Sequence, residues 1–263
     1  MTYQAGFIGA GNMGGALASA VYKVTKNIAV CDQNALRTAE FQKAHAKASV
    51  ETLENLVPEA KFLFLGVKPN VIFGVAEKVG KLLTPETTVV TMAAGVSLAE
   101  ITAKLGTDRV IRIMPNTPAA VGEGMILYTM APGVTEEDKK VFLTLMEKAG
   151  TLDQIDEKLI DAAAALSGCG PAYVYMFAEA LADGAVRCGL PRDKALLYAK
   201  QTILGSAKMM MESKKHPEAL KDDVCSPGGT TIEGVLALEE NKFRFAAASA
   251  VTAAYDKTAK LKK

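Results

Sequence analysis

The chain has 263 residues, of which 49% are hydrophobic, so it can bury a substantial core in one large domain or in two of ordinary size. Its 30 Lys and Arg residues nearly balance its 29 Asp and Glu residues. This balance gives no electrostatic reason to expect a nucleic-acid or membrane partner, and the hydrophobic content excludes wholesale disorder. No apolar run is long enough to span a bilayer, and the first strand pattern begins too early to leave room for a signal peptide.

The cysteines and histidines are too scattered to predict a metal site. There is no CxxC pair, and no ligand spacing joins the four cysteines and two histidines, which are Cys31, Cys169, Cys188, Cys225, His45 and His216. We therefore expect no bound metal, reduced thiols and a cytoplasmic location.

Short buried strands and amphipathic helices alternate over the first 155 residues. The strand patterns are YQAGFIG, NIAVCD, KFLFLGV, TTVVTMA, RVIRIMP, MILYTM and TLDQI. Between them, Asn34 is expected to cap a helix that runs to about Lys47, Ser97 and Glu100 form a capping box, and further helices are predicted near 13–21, 71–83 and 135–150. The alternation of the first five strands with helices predicts an α/β fold with a parallel sheet that helices cover on both faces.

After Asp156 the pattern becomes purely helical. The predicted helices are 157–166, 171–188, 192–213, 231–240 and 243–260. We therefore predict two domains, an α/β domain over 1–155 and an all-helical domain over 156–263. The helices are apolar around most of their circumference, which favours a dimer interface, and the Met209–Met211 run is expected to fill a core.

The segment GAGNMG at 9–14 matches the dinucleotide-binding pattern G-x-G-x-x-G. It follows a predicted strand directly and opens an amphipathic helix, which is the context that the pattern requires. Gly9 is expected to allow the tight turn, Gly11 to let a pyrophosphate approach the backbone, and Gly14 to let the helix pack against the strand. The N–H groups at the helix start would then bind the phosphates.

The choice of nucleotide stays open. Asp32 ends the second strand, where a carboxylate would accept a hydrogen bond from a ribose 2′-hydroxyl and would favour NAD(H). Asp32 could equally cap the next helix, and Arg37 nearby could be a solvated helix residue. Two more turns, GVKPN at 66–70 and MAAGVS at 92–97, follow buried strands at the edge where ligands bind in such sheets. Lys68 could reach a phosphate or a ribose there, or could be an ordinary loop lysine.

A dinucleotide domain joined to a second domain indicates hydride transfer. Reduction of a ketone needs a proton donor, but His45 falls near a helix end and His216 precedes a proline in a polar turn. A protonated imine already carries its proton, so the pattern favours reduction of a C=N bond. One alternative is an oxidoreductase like the β-hydroxyacid dehydrogenases, although the helix after SGCGPAYVYMF offers no central lysine as a base. The other is a non-catalytic dinucleotide sensor.

The segment CSPGGTTIEG at 225–234 resembles a second anion-binding loop. Gly228 and Gly229 free the backbone, and a helix starts at Thr230 or Thr231. Successive N–H groups there could hold a substrate carboxylate, and the Thr231 hydroxyl could hold an imine nitrogen. The alternative is an ordinary threonine-capped helix after a Pro–Gly turn.

Six segments taken together resemble the pyrroline-5-carboxylate reductases. They lie in family order along essentially the whole chain and read GFIGAGNMG, FLGVKP, MAAGVS, RIMPNTPAAVGEG, SGCGPAYVYMF and LKDDVCSPGGTTIEGVLALE. The resemblance implies NAD(P)H-dependent reduction of 1-pyrroline-5-carboxylate to L-proline, with hydride transfer to a cyclic imine. It also implies an N-terminal Rossmann-type dinucleotide-binding domain and a C-terminal all-helical dimerisation domain that forms a homodimer.

The resemblance also assigns residues. It implies that Thr231 contacts the ring nitrogen as the catalytic residue, and that the substrate is bound by Ser226, Gly228, Gly229, Thr230 and Thr231. For NADP(H) or NAD(H) it implies Ile8, Gly9, Ala10, Gly11, Asn12, Met13, Gly14, Val67, Lys68, Pro69, Ala93, Ala94 and Gly95, to which Asp32 is added from its position. Residues 116–118 and 167–171 match family motifs without an assigned role. The stretch CDQN departs from relatives that prefer NADPH and place Ser, Asn or Arg there.

Overall fold

The computed structural model describes residues 1–261 of the chain, so the last two residues of the predicted helical domain lie outside the described part. The strands are Tyr3–Ile8 (β1), Ile28–Cys31 (β2), Ser49–Val50 (β3), Ala60–Leu65 (β4), Thr88–Thr91 (β5), Val110–Met114 (β6), Gly124–Met130 (β7) and Gly150–Gln154 (β8). They form one eight-stranded sheet in the order β3-β2-β1-β4-β5-β6-β7-β8. Each predicted strand is present. The strand β3 was not predicted, because two residues are too few to show an alternating pattern.

The helices of the first part are Asn12–Val24 (α1), Ala35–Ala44 (α2), Leu53–Glu59 (α3), Ile72–Gly80 (α4), Leu98–Leu105 (α5) and Glu136–Met146 (α6). Those that follow are Ile160–Ser167 (α7), Gly170–Arg187 (α8), Arg192–Glu212 (α9), Pro217–Val224 (α10), Thr230–Glu240 (α11) and Phe243–Leu261 (α12). The short helices α3 and α10 were not predicted. His216 does not lie in a plain turn, because its Nδ1 caps α10 by accepting the Glu218 N–H at 3.3 Å.

The sheet is parallel from β3 to β6, as the alternation predicts, but not at its last two strands. β7 pairs antiparallel with β6, and β8 pairs parallel with β7. A parallel crossover needs a dozen or more residues, usually a helix, whereas β6 and β7 are joined only by residues 115–123. The short connection therefore forces the chain to reverse at this edge, whose two strands lie outside the five for which a parallel sheet is predicted.

Two hydrophobic clusters cover the two faces of the sheet. Phe7 and Phe64 stack at 4.5 Å between ring centroids on the face that also buries Leu17 from α1 and Phe142 from α6. The opposite face buries Ile8 and Leu63 with the apolar sides of α3, α4 and α5. Because both faces are covered, the central strands are continuous apolar runs, which is the pattern of a buried parallel sheet.

The turn between β1 and α1 brings backbone against backbone. Gly9 has a positive φ of 99°, and a Cβ added to Gly14 would lie 2.0 Å from the carbonyl oxygen of Gly9. A Cβ on Gly9 would lie 2.6 Å from the carbonyl oxygen of Gly66. No side chain fits in these positions, so the helix can start this close to the strand only with glycine.

Two compact units make up the chain. The first comprises Met1–Cys169 together with the end of the chain from Ala254, and the second comprises Gly170–Ala253. In the first unit Ile160 of α7 packs against Met114 and Leu127 of the sheet. No described helix is long and apolar enough to cross a membrane.

The second unit has little core of its own. Its buried hydrophobic residues, among those that the structure describes, are Ala182, Ala195 and Ala199, which belong to α8 and α9. Large apolar side chains are exposed instead, among them Tyr175, Met176, Leu204, Phe245 and the Met209–Met211 run. In the single chain the prediction that this methionine run fills a core is therefore wrong. A protein surface this apolar usually marks an interface.

We expect Gly14→Ala to lower the free energy of unfolding by roughly 3 kcal/mol, the upper end of what overpacking costs, because its methyl group would meet a backbone carbonyl that cannot turn away. Gly74→Ala is the matched control, since Gly74 lies on an exposed face of α4 with open space around its Cβ position. That change should stabilise the protein by about 0.5–1 kcal/mol. Chemical denaturation of both variants measures the difference, and equal midpoints would contradict the close approach.

Candidate functional site

The predicted nucleotide-binding segments meet at one edge of the sheet. β2, β1, β4 and β5 are adjacent and parallel, so their carboxyl ends point the same way. The segments 9–14, 66–69 and 92–97 and the residue Asp32 follow directly after these four strands. In open α/β sheets this edge is where ligands bind.

The start of α1 is open to an anion. Gly11 is the N-cap of α1 and has no side chain to accept the first N–H groups of the helix. An α-helix leaves its first N–H groups without intrahelical partners, and the helix dipole adds positive charge there. The turn before it is held by the Gly9 N–H to Cys31 carbonyl bond and the Gly66 N–H to Ile8 carbonyl bond, both 2.7 Å. The residues present therefore fit a pyrophosphate group.

Asp32 is engaged by the backbone on both carboxylate oxygens. Its Oδ2 accepts the Ala10 N–H at 2.8 Å, and its Oδ1 accepts the Asn34 N–H at 2.8 Å. Asn34 is the residue that caps α2, by accepting the Leu36 N–H at 3.1 Å, as the sequence predicts. Asp32 therefore fastens the glycine-rich turn to the end of β2 and does not itself cap the helix.

Arg37 lies beside both of these features. Its Nη1 is 3.8 Å from Asp32 Oδ2, and it would be 3.4 Å from a Cβ added to Gly11. The Arg37 side chain is 52% exposed, whereas that of Asp32 is 10% exposed. A guanidinium group is thus held at the end of β2 with most of its donors free to bind a phosphate.

The remaining nucleotide-binding candidates form two short loops. Val67, Lys68 and Pro69 lead from β4 into a 3-10 turn, and Lys68 is exposed. Ala93, Ala94 and Gly95 follow β5; Ala93 is buried, Ala94 is exposed, and Gly95 has a φ of 77° with open space around its Cβ position. Exposed backbone in both loops can approach a ligand closely.

The second predicted anion-binding loop begins where α10 ends, at Cys225. Ser226 to Gly229 form a turn in which the Gly229 N–H donates to the Ser226 carbonyl at 3.0 Å, and Gly228 has a φ of 66°. Proline second and a positive φ third are the features of a type II turn. Gly229 is the N-cap of α11 and offers no side chain to the helix.

Within the predicted anion site, the turn separates the N–H groups that are already used from those that stay free. The Gly229 N–H is used inside the turn, so the free donors are the first N–H groups of α11, which belong to Thr230, Thr231 and Ile232. A Cβ on Gly229 would lie 2.4 Å from Ser226 Oγ, which places that hydroxyl over the helix start. The alternative of a threonine-capped helix is wrong, because both threonines lie inside α11 and its cap is glycine.

An arginine clasp holds the two helices that flank this loop. Arg244, at the start of α12, binds Glu218 of α10 at 2.6 Å and Glu239 of α11 at 2.5 Å. Hydrogen bonds from Arg244 and then Lys221 lower the pKa of the Glu218 carboxyl to about 2. The clasp therefore stays charged over any physiological pH. Sequence reasoning missed it, because nothing in the pattern around Arg244 indicates which helices it joins.

Asn116 connects another pair of matched segments. Its Nδ2 donates to the Ser167 carbonyl at 3.0 Å, and its Oδ1 accepts the Met125 N–H at 2.9 Å. Asn116 is buried. It therefore fixes the end of α7, where the SGCGPAY segment begins, against the loop that follows β6.

Other parts of the surface do not add to this site. An open cavity of about 750 Å³ lies among the loops before β5 and β6, at the opposite edge of the sheet, and is lined by residues such as Thr84, Thr102 and Asp108. Within the described residues, no three His, Cys, Asp or Glu side chains form a group that could hold a metal ion.

Comparison with known proteins decides the family. The chain is 41% identical to pyrroline-5-carboxylate reductase of Escherichia coli (strain K12) over 268 residues, which is 100% of both proteins. It is also 41% identical to the enzyme of that name from Arabidopsis thaliana over 265 residues, covering 99% of this chain and 96% of the relative. This chain belongs to the pyrroline-5-carboxylate reductase family.

The family models divide the reductase as the helix and strand pattern does. Residues 157–261 match the pyrroline-5-carboxylate reductase dimerisation model, and residues 4–95 match the model called NADP oxidoreductase, coenzyme F420-dependent. The N-terminal part is thus a Rossmann-type NADP-binding domain, and the C-terminal part is the helical dimerisation domain. The match from 157 starts next to the predicted boundary near 155, whereas α7 packs with the first compact unit.

Solved structures give the same fold. A pyrroline-5-carboxylate reductase from Coxiella burnetii superposes with a TM-score of 0.90 at 30% identity, covering 100% of both chains. The Plasmodium falciparum pyrroline carboxylate reductase, whose structure has NADP bound, has a TM-score of 0.88 at 31% identity and covers 99% of this chain and 98% of its own. A 3-hydroxybutyryl-CoA dehydrogenase from Escherichia coli, at 13% identity, shares the fold alone and gives no support to the hydroxyacid alternative.

Proposed function

We propose that this reductase converts 1-pyrroline-5-carboxylate to L-proline by hydride transfer from NAD(P)H, with the substrate acid bound at the start of α11. The observation that carries the assignment of the loop is the glycine-capped helix start at Gly229, where N–H groups without intrahelical partners meet a glycine turn. Together with membership of the reductase family, this helix start supports a carboxylate site in the same chain as a nucleotide site. A non-catalytic dinucleotide sensor would not need the carboxylate site.

The substrate carboxylate would be bound by the N–H groups of Thr230, Thr231 and Ile232 and by the Ser226 hydroxyl. These donors are already fixed by the turn and the helix, so little reorganisation is needed when the anion arrives. The α11 dipole adds a favourable electrostatic contribution at the same end. This part of the chain therefore selects for an acid and sets its orientation.

The Thr231 hydroxyl would orient the ring nitrogen next to the bound acid. A protonated imine brings its own proton, so the chain needs no general acid and forms no covalent intermediate. The nicotinamide supplies the hydride. The contribution of the protein is placement of the reacting carbon and electrostatic stabilisation of the bound acid.

The nucleotide would bind across the carboxyl edge of the sheet. Its pyrophosphate would lie at the start of α1, with Lys68 near a phosphate or ribose, and its nicotinamide ribose would lie near residues 93–95. Each carboxylate oxygen of Asp32 accepts one backbone N–H and keeps a second lone pair, but the side chain is only 10% exposed, so its contact with the adenosine ribose would be limited. The exposed guanidinium of Arg37 favours a 2′-phosphate, and hence NADPH over NADH.

The helical unit would complete its core in a homodimer. The apolar surface of α8, α9, α11 and α12 has the composition of an interface, and its segment belongs to a family model named for dimerisation. The four cysteines are free, which is consistent with the cytoplasmic location that we predict.

Purified protein should oxidise NADPH when it is given 1-pyrroline-5-carboxylate and should yield proline in equal amount. Absorbance at the nicotinamide band and amino-acid analysis measure the two products. Parallel assays with NADH and with a 3-oxo acid serve as controls. Turnover of the 3-oxo acid alone would refute the proposed reaction.

Thr231→Ala should lower kcat/KM for 1-pyrroline-5-carboxylate by roughly tenfold to a hundredfold, because the hydroxyl oxygen that would accept the N–H of the protonated imine is lost. Affinity for NADPH should hold, since Thr231 is not among the residues predicted to bind the nucleotide. Thr231→Ser keeps the hydroxyl and should recover most of the rate. Steady-state kinetics with wild-type rates for the alanine variant would remove Thr231 from the mechanism.

Arg37→Ala should raise KM for NADPH roughly tenfold, because a guanidinium–phosphate interaction is lost, and should change KM for NADH little. Lys43→Ala, in the last turn of the same helix, is the control for a general loss of positive charge. Asp32→Ser should weaken the binding of both cofactors through the lost anchor of the glycine turn, and should raise KM for NADH more than KM for NADPH if Asp32 contacts the ribose. An unchanged NADPH-to-NADH ratio in Arg37→Ala would contradict the role of Arg37.

A further inference from the structure

Arg112 is a buried charge in an apolar strand. It lies in β6, between Ile111 and Ile113, and is only 2% exposed. An unpaired guanidinium group in such a place would be strongly destabilising, so its partners show what holds it there. Its Nη1 donates to Glu157 Oε1 at 2.8 Å, and its Nη2 is 3.6 Å from Asp161 Oδ1.

The same oxygen of Glu157 also binds the start of α5. Glu157 Oε1 accepts the Leu98 N–H at 2.7 Å, and Leu98 is the first residue of that helix. One carboxylate oxygen therefore joins β6, α5 and the 3-10 turn Glu157–Leu159 that leads into α7. These three segments all lie in the first compact unit.

Residues 92–97 are consequently fixed at both ends. At one end the segment follows Thr91, the last residue of β5. The strand β5 pairs with β6, and Thr91 lies opposite Arg112 in that pairing. At the other end the Glu157 carboxylate holds the Leu98 N–H, next to the capping box of Ser97 and Glu100. Between them Gly95 has a positive φ and open space around its Cβ position. The middle of the loop is thus open, and its geometry depends on the two anchors.

The start of α5 is not an anion site, unlike the starts of α1 and α11. Glu100 accepts the Ser97 N–H at 2.8 Å, Ser97 Oγ accepts the Glu100 N–H at 3.2 Å, and Glu157 takes the Leu98 N–H. Two carboxylates already lie at this positive end of the helix dipole. Glu157 therefore anchors the helix start, and a ligand phosphate would be repelled from it.

We infer that Glu157, held in place by Arg112, is a positioning residue for the nicotinamide end of the cofactor, which it sets through the backbone of residues 92–98. The inference rests on the proposed function, in which Ala93 to Gly95 lie near the nicotinamide ribose. The adenosine and pyrophosphate half of the site, on α1 and β2, has its own anchors in Asp32 and the glycine turn. Loss of the Glu157 anchor should therefore affect one half of the nucleotide site and spare the other.

The test compares two ligands on Glu157→Ala. NADPH affinity, measured by calorimetry, should fall roughly tenfold, which is the loss expected when about one hydrogen bond from the displaced loop to the cofactor is no longer made. Affinity for adenosine 2′,5′-bisphosphate, which lacks the nicotinamide half, should stay within about twofold. Hydrogen exchange of the nucleotide-free protein should become faster at residues 92–98 but not at 9–14. Asp156→Ala is the matched control. This neighbouring side chain is 69% exposed, and within residues 1–261 its one ion pair is with Lys158.

Glu157→Gln keeps the length and one acceptor oxygen but loses the charge, so it decides the question if the alanine variant does not fold. Glu157→Gln should also lower the NADPH affinity and speed hydrogen exchange at residues 92–98, both by less than Glu157→Ala does. Unchanged exchange at 92–98, or equal weakening of both ligands, would overturn the inference. None of these measurements needs turnover of 1-pyrroline-5-carboxylate, so a failure of the proposed reaction would be seen separately in the wild-type assay.

Discussion

The nucleotide site depends on one close contact, between the first turn of α1 and the end of β1. The Cβ position of Gly14 is 2.0 Å from the Gly9 carbonyl oxygen, so the helix can start there only because neither residue has a side chain. That contact places the open start of α1 at the carboxyl edge of the sheet. The same edge carries the Asp32 carboxylate, the Arg37 guanidinium and the loops after β4 and β5.

The starts of α1 and α11 differ from those of α5 and α6, and the difference separates the proposed ligand sites from structural joints. α1 and α11 are capped by glycine and leave their first N–H groups open, whereas α5 and α6 have capping boxes that satisfy them. An anion binds well only at the first kind, because the second kind already has a carboxylate at the positive end of the helix. The two glycine-capped starts are the proposed sites for the pyrophosphate and for the substrate acid.

The helical unit presents a different constraint. Three alanines are its buried hydrophobic residues in the described part of the chain, while tyrosine, methionine and phenylalanine side chains stay exposed. This core is too small to offset the conformational entropy of ordering five helices. The unit therefore needs further apolar burial to be stable. The family model that matches residues 157–261 is named for dimerisation, and burial of the exposed apolar side chains in a dimer would supply what the core lacks. Arg244 then joins α10 and α11 on either side of the loop that is proposed to bind the substrate acid, through its ion pairs with Glu218 and Glu239.

The sequence by itself determined the strand order along the chain, the glycine turn, the Asn34 and Ser97 caps and the family, because each of these depends on local periodicity or on a contiguous motif. It did not determine that β7 runs antiparallel, that α3 and α10 exist, or that the Gly229 N–H is used inside its own turn. Only the tertiary structure decided these points and the pairing of Arg112 with Glu157. Contacts between residues far apart in the chain depend on how strands and helices pack, and an arginine in an apolar strand shows that a partner exists without showing which carboxylate it is.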